Sequence, residues 1–328
     1  MSPDPSEQQP GDQAQEQPEP SDDESFQRDV KPPEHTCHPP ILPHYRRGVS
    51  ASVLLLACPD RPGIVAAVSG VIAAHGANVL DAQQHSDEVD GRFYQRIAFL
   101  PPSGAPSTAI SDDLARLAPA FDLDWSIRPL GMRPRVVILA SRPPHALADL
   151  LVRARTHDLD IDVVAVMSDR PDHAPLVEAL GIAYEHHPIA DRAAQERTLA
   201  AALRARAPDL VVLARYMRVL PGWLVAQWAG RMINIHHSFL PAFIGAEPYR
   251  QAHDRGVKII GATAHYVTEA LDAGPIIEQD VVAVTHRDSP QSLARRGRDL
   301  ETIVLARAVR AHIEHRVLIS GPRTIVFT

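Results

Sequence analysis

From Val136 to Ala214, short apolar runs alternate regularly with segments of helical periodicity. The strands placed in this pattern are Val136 to Ala140, Val163 to Met167, Tyr184 to Pro188 and Leu210 to Ala214, of which Tyr184 to Pro188 alone lacks a run of apolar side chains; the helical segments between them are His145 to Arg155, Ala174 to Leu180 and Ala193 to Arg206. This is the most restrictive pattern in the chain. Strands and helices in such succession fold as a mostly parallel sheet with helices on both faces. In a doubly wound sheet of that kind, ligands sit outside the carboxyl ends of the strands. The fourth run leads directly into Leu213-Ala214-Arg215-Tyr216-Met217-Arg218-Val219-Leu220-Pro221, which makes that strand end the first place to expect a site.

The chemistry-bearing residues follow soon after. Asn234-Ile235-His236-His237-Ser238-Phe239-Leu240-Pro241 is followed by Gly261-Ala262-Thr263-Ala264-His265 and then by Leu271-Asp272-Ala273-Gly274-Pro275. Asn234 and His236 are two apart, so on an extended segment both side chains point to one face. An amide beside an imidazole can polarise a carbonyl and hold the oxyanion that forms when it is attacked. A carboxylate brought close, such as Asp272, can orient the imidazole or take a proton from the nucleophile. Residue types alone leave a surface or capping role open, since His occurs 17 times in the chain.

Length and charge set the frame. A chain of 328 residues has room for two domains, and it holds no apolar run near the roughly 20 residues of a membrane span. The net charge of −7 is concentrated at the N-terminus: residues 1–34 carry ten acidic and two basic side chains, or −8, leaving +1 for the rest. A near-neutral body lacks the basic excess of a nucleic-acid-binding surface. Residues 1–48 are acidic, proline-rich and poor in large apolar side chains, a composition expected to stay disordered; the His35-Thr36-Cys37-His38 run within it lacks a second ligand pair, so no metal site is expected. With Cys37 and Cys58 as the only cysteines and no signal peptide visible, a reducing cytoplasmic compartment is expected.

Residues 49–130 read as a compact βαββαβ unit. Val53 to Ala57 is a buried strand, and Asp60-Arg61-Pro62-Gly63 starts a helix, with Asp60 the expected N-cap and Gly76 the stop. Strands are expected at Asn78 to Gln84, Phe93 to Leu100 and Asp124 to Arg128, with a second helix at Ser111 to Ala120. Residues 131–328 form the second expected unit. Beyond the motifs, Val281 to Val284 reads as a strand. A long helix runs from Ser289, its cap, to His315, with Pro290 at its first position.

Two resemblances extend this reading. The Asp-Arg-Pro-Gly turn, helix and Gly-x-Asn return of the first unit resemble the ACT domain, a ligand-sensing module. That likeness implies a small amino acid, glycine or methionine, bound near Asp60, Arg61, Gly63 and Asn78. The Asn-x-His, Leu-Pro, downstream His and Asp-x-Gly pattern resembles the folate-dependent formyltransferases, a Rossmann-like formyltransferase domain. Its NIHHSFLP wording is most similar to the 10-formyltetrahydrofolate deformylases. The resemblance implies hydrolysis of 10-formyltetrahydrofolate to tetrahydrofolate and formate, feeding one-carbon and purine metabolism. It implies Asn234, His236 and Asp272 as catalytic residues and His265 as support for Asp272. The folate would be bound by Leu213, Met217, Arg218, Val219, Leu220, Thr268 and Glu269. Folate is substrate rather than cofactor, no metal is expected, and a homo-oligomer, favoured as a tetramer, is implied.

One loop discriminates among relatives. The turn after the first strand is Ser141-Arg142-Pro143-Pro144, without glycine and with two residues lacking N–H donors. A phosphate cradle of backbone amides is not expected there. Transfer to an amine acceptor such as glycinamide ribonucleotide, or a non-catalytic folate and amino-acid sensor, stand as the competing readings.

Overall fold

The computed structural model describes residues 51–102, 108–189, 191–241 and 248–328. The acidic N-terminal segment and its His35 to His38 run lie outside the described residues. Residues 52–129 form β1 (Ser52–Pro59), α1 (Ile64–Ala74), β2 (Asn78–Asp87), β3 (Arg92–Leu100), α2 (Thr108–Phe121) and β4 (Asp124–Pro129), the expected βαββαβ order. The antiparallel sheet runs β2-β3-β1-β4. Alternate residues of β1, Leu54, Leu56 and Cys58, face Ile64, Val68 and Ile72 of α1 and Ile110 and Leu114 of α2. A period-two strand and period-3.6 helices thus close one small core.

The start of α1 corrects an expectation. Its N-cap is Gly63, at φ +95°, with no side-chain cap bond, and Asp60 does not cap it. That left-handed backbone is accessible to glycine at little cost, so the chain enters the helix through Gly63. Asp60 donates its backbone N–H to Gly91 O at 2.9 Å instead.

The second sheet has seven strands in the order β11-β10-β9-β8-β5-β6-β7. The four expected strands are β5 (Arg135–Ala140), β6 (Asp162–Ser168), β7 (Tyr184–His186) and β8 (Leu210–Ala214); between them lie α3 (His145–Arg155), α4 (Ala174–Ala179) and α5 (Arg192–Arg206). These strands and β9 (Met232–His236) are parallel. The strands β10 (Ile259–Tyr266) and β11 (Ile276–Ala283) are antiparallel additions. Val281 to Val284 is therefore the end of a longer strand. Helix α8 (Pro290–Ile313) is capped by Ser289, whose side chain accepts from Ser292 N, and packs with α3 on one face. On the other face α5 packs with α6 (Gly222–Ala226). Neither α6, α7 (Pro248–Asp254) nor β12 (Val317–Ser320) is foreshadowed by the pattern, being too short to show a period. No helix among the described residues is long and apolar enough to cross a membrane.

The two sheets are joined through the chain's end. Arg96 of β3 is buried and donates to Asp81, and to the His315 and Glu314 carbonyls just past α8. Tyr94, Ala57 and Phe327 pack together beside β12 and β13 (Arg323–Val326). Nearby, burial and neighbouring cations lower His315 from 6.5 to about 4, and burial does the same to His312 on α8 and to His237. Between pH 6.5 and 4 the unfolded chain binds more protons at these sites than the folded one. Stability is therefore present at neutral pH and lost as pH falls through that window, at about 2 kcal/mol per such histidine by pH 5. The urea midpoint is expected to drop clearly from pH 7 to pH 5. An unchanged midpoint would show that these rings accept protons without cost.

Candidate active site

Strand β9 presents Asn234 and His236 on one face at its carboxyl end. Its antiparallel neighbour β10 sets His265 opposite Asn234 and Thr263 opposite His236. Thr263 is fully buried and locks the chain leaving β9: its hydroxyl donates to Ser238 O (2.9 Å) and accepts from Leu240 N (3.1 Å). His265 donates from Nδ1 to Tyr266 O at 2.9 Å, which turns its Nε2 toward the Asn234 amide at 3.3 Å.

Asp272 reaches this strand pair from the loop between β10 and β11. Its Oδ2 lies 3.2 Å from His236 Nδ1 and its Oδ1 3.7 Å from His265 Nε2. The hydrogen bond from His236, and then the nearby His265 ring, outweigh desolvation and hold its carboxyl well below the usual carboxylate range. Such a group stays anionic and orients the imidazole beside it. With Nδ1 committed to Asp272, His236 is left with a buried Nε2 that has no protein partner. Asp272 adopts φ +52°, a left-handed backbone that Asp enters more readily than most non-glycine residues.

The loop is held in that shape by its neighbours. Tyr266 N donates to Pro275 O at 2.9 Å, and a Cβ added at Gly274 would lie 1.7 Å from Tyr266 O. Backbone cannot yield as a flexible side chain does. Gly274→Ala is therefore expected to displace Asp272 and lower kcat by at least about tenfold, the effect of roughly 1.4 kcal/mol at the reacting centre. Full activity with unchanged thermal stability in this variant would show that the loop can shift freely.

Asn234, His236, His265 and Asp272 line a cleft of about 310 Å³ at the carboxyl ends of β8 and β9. Every residue expected to bind the folate also lines it: Leu213, Met217, Arg218, Val219, Leu220, Thr268 and Glu269. Met217, Val219 and Leu271 are 54%, 55% and 67% exposed, an apolar open wall suited to a flat ring. The loop after β8 is held from the Ser141 turn. Ser141 Oγ accepts from Met217 N (3.1 Å) and donates to Asp169 (2.8 Å), whose other oxygen receives Arg218 Nε (2.8 Å). The turn's hydroxyl thus positions the loop after β8.

The residue pattern left others unassigned. Arg215, Tyr216, Val225, Ile235, His237, Val267 and Leu271 also line the cleft. The available signal was adjacency, since Arg215 and His237 sit inside the two motifs. Behind the cleft Glu301 of α8 is almost fully buried and receives Tyr249 Oη (2.8 Å) and His145 Nε2 (2.7 Å), with Arg215 Nε at 3.4 Å. Burial works against its ionisation, yet His145 and Arg215 keep it below the usual carboxylate range. In the first sheet's unit, Asp60, Arg61, Gly63 and Asn78 are all exposed. Arg61 donates to Ala120 O and Phe121 O at the end of α2.

The doubly wound sheet with Asn234, His236 and Asp272 at its carboxyl edge belongs to a recognisable class. Residues 134–309 match the formyl transferase model, and residues 52–107 match the ACT domain. A formyltetrahydrofolate deformylase from Corynebacterium sp. (strain P-1) is 46% identical over 278 residues, 84% of this chain and 97% of that protein. A crystal structure of a formyltetrahydrofolate deformylase from Pseudomonas syringae pv. tomato superposes with a TM-score of 0.83 at 46% identity, covering 87% of this chain and 96% of that one. A glycinamide ribonucleotide transformylase from Symbiobacterium toebii matches less of it: TM-score 0.58, 35% identity, 61% of this chain and 97% of that one. The chain belongs to the formyltetrahydrofolate deformylase family.

Proposed function

We propose that this protein hydrolyses 10-formyltetrahydrofolate to tetrahydrofolate and formate. The observation that carries the reading is the buried, unpartnered Nε2 of His236 in the cleft, backed through Nδ1 by an anionic Asp272. With the pterin against Met217 to Leu220, the formyl oxygen meets Nε2 of His236 and the amide of Asn234. Both stabilise the oxyanion as water adds to the formyl carbon. Asp272 orients His236 and accepts the water's proton as the new C–O bond forms, when that proton becomes acidic enough for so weak a base. The C–N10 bond then breaks, the folate nitrogen takes up a proton, and formate leaves. His265, between Asn234 and Asp272, keeps both in register. Folate is the substrate, and the steps call for no cofactor.

The deciding experiment follows tetrahydrofolate formation from 10-formyltetrahydrofolate with and without glycinamide ribonucleotide. Fast turnover with water alone is expected; turnover that needs the acceptor would overturn the assignment in favour of a transferase.

The ACT unit is read as an effector site for a small amino acid, glycine or methionine, in a cytoplasmic homo-oligomer, with a tetramer favoured. What supports a regulatory link is α8. The Glu314 and His315 carbonyls just past its end are held by Arg96 from β3, and its middle carries Glu301 at the back of the cleft. An effector that couples must shift folate affinity or turnover. Calorimetry with both amino acids, paired with rate measurements, checks this. Absence of heat and unchanged rates would leave the unit a purely architectural one.

A further inference from the structure

The back of the cleft holds a buried charge cluster that the hydrolytic steps do not use. Glu301, 1% exposed, gathers Arg215 from the end of β8, His145 from the start of α3 and Tyr249 from α7. Tyr249 stands 6.2 Å from the His237 ring, which lies 4.9 Å from that of His236. Arg215 lines the cleft, adopts φ +60°, and has a buried Nε without a hydrogen bond. Stability does not account for this arrangement. Buried ion pairs are often no better than well-packed apolar groups, and the left-handed arginine adds a further cost.

The catalytic sheet is shared with proteins named as glycinamide ribonucleotide transformylases, so the backbone alone does not decide where a formyl group goes. Side chains around the reacting carbon must. Met217, Val219 and Leu271 form the exposed wall of the cleft, whereas Arg215 and His237 line it toward Glu301 and Tyr249.

We propose that Arg215, anchored by Glu301, is a specificity-determining residue whose guanidinium fills the rear of the cleft beside His236 and His237. It leaves room for a water molecule and excludes an amine nucleophile. The inference rests on the hydrolase reading above. An amine admitted by a smaller side chain attacks the formyl carbon as water does. The C–N10 bond breaks, the amine's proton passes to the folate nitrogen, and the products are tetrahydrofolate and an N-formyl compound.

The test supplies hydroxylamine as the competing nucleophile to the full-length protein with 10-formyltetrahydrofolate. Total tetrahydrofolate, formate and formohydroxamate are measured after subtracting the enzyme-free rates. In the unsubstituted protein formate should match tetrahydrofolate, with little hydroxamate. In Arg215→Ala the hydroxamate share of turnover should rise at least tenfold. Arg215→Lys keeps a cation beside Glu301 with a smaller head group, and a smaller rise in the same direction is expected. If Arg215→Ala fails to fold or turn over, Arg215→Lys decides alone. A hydroxamate share unchanged in the active variants would overturn the proposal. Failure of the hydrolase reading shows separately, as an unsubstituted protein that forms no tetrahydrofolate in water.

Discussion

His236→Ala is expected to lower kcat by about two to three orders of magnitude while folate affinity changes little, because the lost donor acts on charge that develops only in the transition state. The geometry argues for so large an effect. Asp272 already occupies Nδ1, so Nε2 is the single remaining arm of the ring, buried and unpartnered. Asn234→Ala should show the same pattern with a smaller fall, since the Asn234 amide is shared with His265. Single-turnover rates together with equilibrium binding of a non-hydrolysable folate separate the two effects. A loss of affinity matching the loss in kcat/KM, with kcat intact, would assign both residues to ground-state binding.

Asp272→Asn should reduce hydrolysis by about two orders of magnitude or more, with the folate still bound. The substitution keeps size and one acceptor oxygen. It removes the negative charge beside His236 and any capacity to receive the water's proton. The sign of the pH dependence follows from the depressed carboxyl. Its ionised form, and the stabilisation that goes with it, persist well below the usual carboxylate range and disappear only at still lower pH. No loss of rate from Asp272 protonation is therefore expected between pH 7 and pH 4.5. Near-full acceptor-independent turnover in Asp272→Asn would remove the carboxylate from the mechanism.

Much of this was legible in the residues. Short strand segments alternating with period-3.6 helices located β5 to β8, because a strand buried on both faces reads as an unbroken apolar run and a helix buries one stripe. Ser289 and Pro290 marked the start of α8, because their roles at a helix end are local. The Asp60 cap failed for the same kind of reason. Whether a residue caps depends on the backbone angle of its neighbours, and Gly63 took the left-handed position.

The site divides the same way. Asn234 and His236 share a face because strand geometry alone puts residues two apart on one side, and this needs no tertiary information. That His265 stands opposite Asn234 depends on the register of β10 against β9, and that Asp272 reaches His236 depends on a loop closed by Gly274 against Tyr266. Arg215, His145, Tyr249 and Glu301 lie far apart along the chain, and only the packing of α3, α7 and α8 behind the sheet makes them one cluster. Local periodicity and capping are written in neighbouring residues. Which distant charges share a buried space is set by helix packing, and that was decided in three dimensions.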